Sequence, residues 1–88
     1  MVKSIESLPN IDPALAKELK KVGIMDGDAL IRIGAEHAWQ RLMRNGWNDG
    51  LHSLLQLEGA IEGVRSSQVP LDRQQELRLE AIAYSQGR

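Results

Sequence analysis

Apolar residues recur along this chain at the three- and four-residue spacing of a helix face, in stretches separated by glycine. Leu15, Leu19 and Val22 form the first stripe, which predicts a helix from Pro13 to Val22. Pro13 suits a first helical turn, where its missing N–H has no intrahelical partner to lose. Asp12 before it is a good N-cap, and Gly23 can take the left-handed conformation that ends a helix. Asp26-Gly27-Asp28 offers a second cap. A short helix from Asp28 to Ile33 then turns Leu30 and Ile33 inward and stops at Gly34. A third helix is expected from Ala35 to Gly46, with Ala35, Ala38, Trp39, Leu42 and Met43 as its stripe. After a turn at Trp47-Asn48-Asp49-Gly50, the fourth helix, Leu51 to Val64, is the most apolar. Leu51, Leu54, Leu55, Leu57, Ile61 and Val64 cover more than half of its circumference, so it should be the central helix. Ser66-Ser67-Gln68-Val69-Pro70 reads as a loop. The fifth helix runs from near Leu71 to Tyr84, with Leu77, Ala81 and Tyr84 on one face, and Ser85 to Arg88 is expected to fray.

Nowhere do β-branched and polar residues alternate over the length of a strand. The expected fold is therefore all-α, a compact bundle of about five short helices, with Leu19, Trp39, Leu42, Leu54, Leu57 and Ile61 in its core. Eighty-eight residues make one domain, residues 1–88, with an ordered core of about 5–84. Such a chain carries roughly 4 to 13 kcal/mol of stability.

Composition narrows the function. There is no cysteine, so neither a disulfide nor a thiolate ligand or nucleophile is available. The N-terminal residues have no long apolar run, so neither a signal peptide nor a membrane anchor is expected, and the localisation expected is cytoplasmic. Eleven basic and twelve acidic side chains nearly cancel, to a formal charge of -1. A non-specific nucleic-acid binder is normally clearly basic. Trp39, Trp47 and Tyr84 are the only aromatics, too few for a platform that stacks single-stranded bases.

Enzyme chemistry has no visible motif. His37 and His52 are the only histidines, with no HExxH and no metal-ligand spacing. Each has an acidic residue nearby in sequence, Glu36 and Asp49, as solvated surface neighbours often do. No nucleophile elbow and no glycine-rich phosphate loop is present. No catalytic residue, cofactor or metal is expected. Glu58 lies within the apolar fourth helix. It reads either as a perturbed acid or base or, preferably, as a structural carboxylate that caps a helix or pairs with an arginine such as Arg41. Gly59 and Gly63, one helical turn apart, each cost about 1 kcal/mol against alanine. Close packing within the monomer is the preferred reason over a homodimer seam.

The stretch Leu8-Pro9-Asn10-Ile11-Asp12-Pro13-Ala14-Leu15-Ala16-Lys17-Glu18-Leu19 resembles a helix-hairpin-helix motif of the form L-P-G-I-G-P-K-T-A-x-x-L. A longer pattern adds Val22-Gly23-Ile24, Leu30 with Ile33-Gly34-Ala35, Arg41-Leu42, Leu57-Glu58-Gly59-Ala60, Gly63 and Val69-Pro70. In that order the chain resembles the C-terminal domain of TfoX-type (Sxy) competence regulators over about residues 5–80. The resemblance implies an all-α domain whose N-terminal half is helix-hairpin-helix-like. It also implies a role in switching on DNA uptake or related transcription. Full-length members of that family carry another domain before this one. With Met1 directly ahead of the motif, this chain reads as a stand-alone homologue or an excised piece. The motif's two hairpin glycines are here Asn10 and Asp12, its lysine is Ala14, and a tryptophan common in the later loop is Ser66. Asn10 can keep the left-handed turn, whereas Asp12 places a negative charge where phosphate would dock. The hairpin is expected to persist with an impaired phosphate site.

Two functions follow. The first is a non-enzymatic regulatory binding module that acts through an unidentified protein partner or through self-association. The alternative is weak DNA binding through Asn10, Lys17, Lys20, Lys21, Arg41 and Arg44, with the three lysines on one helix face. Asp12, Gly23, Gly34, Glu58, Gly59 and Gly63 are assigned structural roles.

Overall fold

The computed structural model describes residues 3–47 and 50–86. Among them are five α-helices: α1 (Pro13–Lys21), α2 (Gly27–Ile33), α3 (Ala35–Arg44), α4 (Gly50–Glu62) and α5 (Leu71–Gln86). Two short 3-10 turns, Ile5–Ser7 and Ser66–Gln68, complete the described elements. Both fall where no element was expected. Neither has the apolar periodicity of a helix; the second is closed by Arg65 N–H, which donates to Gln68 Oε1, and by Ser66 N–H, which donates to Asn10 Oδ1. The segment before the hairpin holds a single 3-10 turn. It is well anchored nonetheless, because Ile5 is fully buried.

The helix ends follow local chemistry. Leu15 N–H donates to Asp12 Oδ1 at 2.7 Å, and Ala29 N–H to Asp26 Oδ1 at 2.8 Å. These aspartates satisfy helix-initial donors that would otherwise lack partners. The three helices α1, α3 and α4 end in the same way. Ile24 N–H donates to Leu19 O, Trp47 N–H to Leu42 O and Val64 N–H to Gly59 O, at 2.9, 3.0 and 2.9 Å, each across a glycine of positive φ. This six-to-one bond satisfies a carbonyl of the last helical turn. The third helix therefore stops at Arg44, short of the expected Gly46, and the fourth stops at Glu62, short of Val64. Gly63 is the residue that ends α4 (φ 78°), and a Cβ there would meet nothing within 4 Å. It is not part of a close-packed glycine face. The expected turn residues Asn48 and Asp49, and the last two residues of the expected frayed end, lie outside the described residues. Ser85 and Gln86 belong to α5, which runs beyond Tyr84.

Between α2 and α3 there is no loop. Gly34 alone connects them, with φ 91° and ψ 156°, a region of backbone space open almost only to glycine. Its amide closes α2 on Leu30 O at 2.9 Å, while Ala38 N–H donates back to Gly34 O.

One apolar cluster unites the helices. Leu19, Leu30, Leu42, Leu54, Leu57 and Leu77 are completely buried in it, with Trp39 beside them. Ile61, expected in the core, is only half-buried in the last turn of α4, where it borders an open groove with Pro9 and Ile31. The tryptophans tie α3 to α4 by their polar ends. Trp39 Nε1–H donates to Gly50 O at 2.9 Å, and Trp47 Nε1–H donates to the buried Ser53 Oγ at 2.7 Å. Tyr84 brings in α5, its ring edge-to-face with Trp39 at 5.2 Å.

Candidate functional site

The hairpin is turned inward. Asn10 has φ 69°. Its carboxamide Nδ2 donates to Val64 O at 2.9 Å and to Gln56 O at 3.3 Å, and its Oδ1 accepts from Ser66 N–H at 3.2 Å. The three bonds reach Gln56 in the middle of α4 and Val64 and Ser66 just beyond its C-terminal end. The side chain is thus a staple between the hairpin and that end, which leaves it no free donor to offer a phosphate. Asp12 caps α1, so a carboxylate occupies the helix end where phosphate would otherwise sit.

Gly59 is what lets the staple close. A Cβ on it would stand 2.6 Å from Asn10 Nδ2 and 2.7 Å from Val64 O. The close approach expected of this glycine is to the hairpin and to the turn after its own helix.

The three lysines of α1 are exposed, and two are neutralised. Lys20 Nζ lies 2.7 Å from Glu6 Oε2, and Lys21 Nζ lies 3.2 Å from Glu18 Oε2. The hydrogen bond from Lys20 is the main cause that holds the Glu6 carboxyl below its ordinary range. Lys17 has no carboxylate within ion-pair distance among the described residues.

Glu58 is nearly buried, and its partner is Arg73 of α5, not Arg41. The guanidinium grips both carboxylate oxygens, at 3.1 and 3.3 Å, and also reaches Glu76 at 3.1 Å and Glu36 at 3.6 Å. Arg73 therefore ties α3, α4 and α5 together. Burial pushes the Glu58 carboxyl up, but hydrogen bonds with Arg73 and Glu62 and the arginine's charge outweigh it, so it lies below the ordinary range. Glu62 moves the other way, raised chiefly by its hydrogen bond with Glu58. Arg73 itself is held more firmly protonated, first by its hydrogen bond to Glu58. The cluster joins three helices through one guanidinium, with Glu36, Glu62 and Glu76 as the other carboxylates around Glu58 and Arg73.

Arg41 has a different place. Its Nη1 donates to Val22 O at 3.3 Å, at the C-terminal end of α1. With Arg44, His37 and Ile33, and with Arg32 of α2, it lines an open groove of about 410 Å³. Arg32 and His37 were not singled out in the sequence for this role. The available signal was spacing, since His37, Arg41 and Arg44 lie at i, i+4 and i+7 on α3. Glu36, the acidic neighbour of His37 in sequence, is drawn away to Arg73.

A second surface lies on α5. Leu71, Leu79 and Ile82 are 75, 67 and 46 % exposed. Ile82 and Ala81 border a shallow depression of about 280 Å³ with Leu51 and Arg78. Among the described residues, no three His, Asp or Glu side chains gather as a metal-binding group. No described helix is long and apolar enough to cross a membrane. His52 is exposed on α4.

The described residues thus form an all-α domain with the hairpin ahead of α1 and two open surfaces, one on α3 and one on α5. The chain belongs to the TfoX C-terminal domain family, whose profile matches residues 1–81. It is 38 % identical over 73 residues to Protein Sxy of Escherichia coli (strain K12), a match that covers 83 % of this chain and 35 % of that protein. The chain thus spans well under half the length of that relative. Two crystal forms, triclinic and tetragonal, of a protein from Listeria monocytogenes described as uncharacterized or of unknown function have the same fold. Each superposes with a TM-score of 0.89 at 28 % identity over 92 % of this chain, covering 92 and 99 % of those chains respectively.

Proposed function

We propose that this chain is a non-enzymatic regulatory module, acting as one domain over residues 1–88 in the cytoplasm through a protein partner. The observation that carries the reading is the outer side of α5. Leu71, Leu79 and Ile82 stand exposed there, although Leu77 of the same helix already fills the core. A helix apolar on its core side and on its outer side has more apolar surface than one domain covers. The hairpin supports the same reading, because Asn10 directs its carboxamide inward, Asp12 caps α1 with its carboxylate and two of the three α1 lysines are paired. The regulatory part rests on family membership and on the resemblance to competence regulators. The DNA-binding alternative is left with Lys17, Arg41 and Arg44 of its original cations.

Native mass spectrometry of the protein purified from its own cells tests this. A protein complex of fixed stoichiometry is expected, lost in a Leu79→Glu/Ile82→Glu variant that keeps its helicity. Co-purifying nucleic acid in its place, or a complex indifferent to the substitutions, would refute it. A complex made only of this chain identifies the partner as a second copy.

A further inference from the structure

We propose that the groove between α2 and α3 is an anion-binding site that takes a carboxylate-rich segment of the protein partner. The proposal rests on the reading of the domain as a protein-binding module, and it adds a second, polar contact to the apolar one on α5.

Arg32 comes from the last turn of α2, and His37, Arg41 and Arg44 come from one face of α3. Gly34 brings them together, because a one-residue connection holds the end of α2 against the start of α3. All four side chains are exposed. Among the described residues, none of the three arginines has a carboxylate within ion-pair distance. That sets them apart from Lys20, Lys21 and Arg73, which are all paired. Three guanidinium groups around one concavity repel each other, and the concavity concentrates their field on whatever enters it. An incoming oxyanion relieves the repulsion. Guanidinium forks match carboxylate geometry with two parallel hydrogen bonds. Arg41 is held in place by its bond to Val22 O, so less side-chain freedom is lost on binding. Ile33 gives the groove an apolar wall for the methylene groups of an acidic side chain.

Carboxylates fit better than a nucleic-acid backbone for two reasons. The cations ring a hollow, whereas a duplex presents a convex wall with about one charge per 1.7 Å that calls for a long row of cations. The α1 lysines that could extend such a row are largely neutralised, and the whole chain is at -1.

The test is fluorescence anisotropy with a fluorescein-labelled polyglutamate peptide at low salt, with a labelled DNA duplex run beside it. Saturable peptide binding is expected, weakened about tenfold by Arg32→Gln/Arg44→Gln, since two exposed ion pairs are lost. Neither arginine bonds another described side chain, and circular dichroism should show unchanged helicity. Lys20→Gln/Lys21→Gln should leave the affinity unchanged. Absent peptide binding, binding indifferent to the arginine substitutions, or a duplex that binds more tightly through the same arginines would overturn the proposal. Leu79→Glu/Ile82→Glu should keep peptide affinity. No peptide binding by the unsubstituted protein, with a cellular complex that is lost in Leu79→Glu/Ile82→Glu, therefore refutes the groove alone. Peptide binding as expected, with a cellular complex that survives Leu79→Glu/Ile82→Glu, refutes the α5 reading alone.

Discussion

Gly59→Ala should destabilise this domain, although alanine is the better helix former. The substitution gains about 1 kcal/mol of helix propensity. Against that, the new methyl would stand 2.6 Å from Asn10 Nδ2, 2.7 Å from Val64 O and 3.2 Å from the carbonyl carbon of Arg65. Two of these atoms are backbone. The chain that carries them is tied back to α4 by Val64 N–H donating to Gly59 O at 2.9 Å. Relief therefore requires the turn after α4 to move, or Asn10 to leave. Either motion breaks the bonds from Asn10 to Gln56, Val64 and Ser66. Overpacking of this kind costs about 1 to 3 kcal/mol, and each lost hydrogen bond about 1 kcal/mol more. After the propensity gain, a net loss of about 3 to 5 kcal/mol remains, a large part of the roughly 4 to 13 kcal/mol available. Urea denaturation followed by far-UV circular dichroism measures it. Asn10→Gly keeps the left-handed backbone and removes the obstructing amide with its three bonds, so Gly59→Ala should cost about 3 kcal/mol less in that background. A Gly59→Ala protein as stable as the parent would refute the close contact.

Arg73→Ala should cost about 2 to 3 kcal/mol in the same assay, because it leaves the nearly buried Glu58 without its partner. The same carboxylate has a pH signature. Its pKa is lower folded than unfolded, so its contribution is complete above the ordinary glutamate value near about 4.3 and fades as pH falls towards the folded value. Glu58→Gln should lack that part of the acid-induced loss, and an identical pH profile of denaturation midpoints would count against it. Asp12→Ala should cost about 1 kcal/mol by removing the bond to Leu15 N–H, and an unchanged midpoint would show that Asp12 is no cap. Duplex DNA should bind no more tightly than about 10 to 100 μM at physiological salt. Asp12→Gly/Ala14→Lys should bind it measurably better in an anisotropy titration across a salt series, because a phosphate-accessible turn and a cation return.

Interactions that act within a few residues were legible in the chain by itself. Asp12 before Pro13, the spacing of Leu15 and Leu19, and glycine after each stripe specify helices through backbone geometry and nearest-turn contacts. Their ends were read too long in α1, α3 and α4, because the final bond closes across the glycine and leaves the residues beside it outside the helix. Everything that depends on where two helices meet had to await the tertiary structure. Glu58 had several arginines within reach of a guess, and the packing of α5 on α4 selected Arg73. Asn10 could be read as a turn residue, but its three bonds reach 46 to 56 residues along the chain. Lys20 looked free on its helix face until Glu6, fourteen residues away, was folded against it. The groove of Arg32, His37, Arg41 and Arg44 arises because the turn at Gly34 sets α2 beside α3. Helical periodicity decides which residues share a face. Which faces then meet, and which charges are left unpaired, depends on long-range packing that no local spacing encodes.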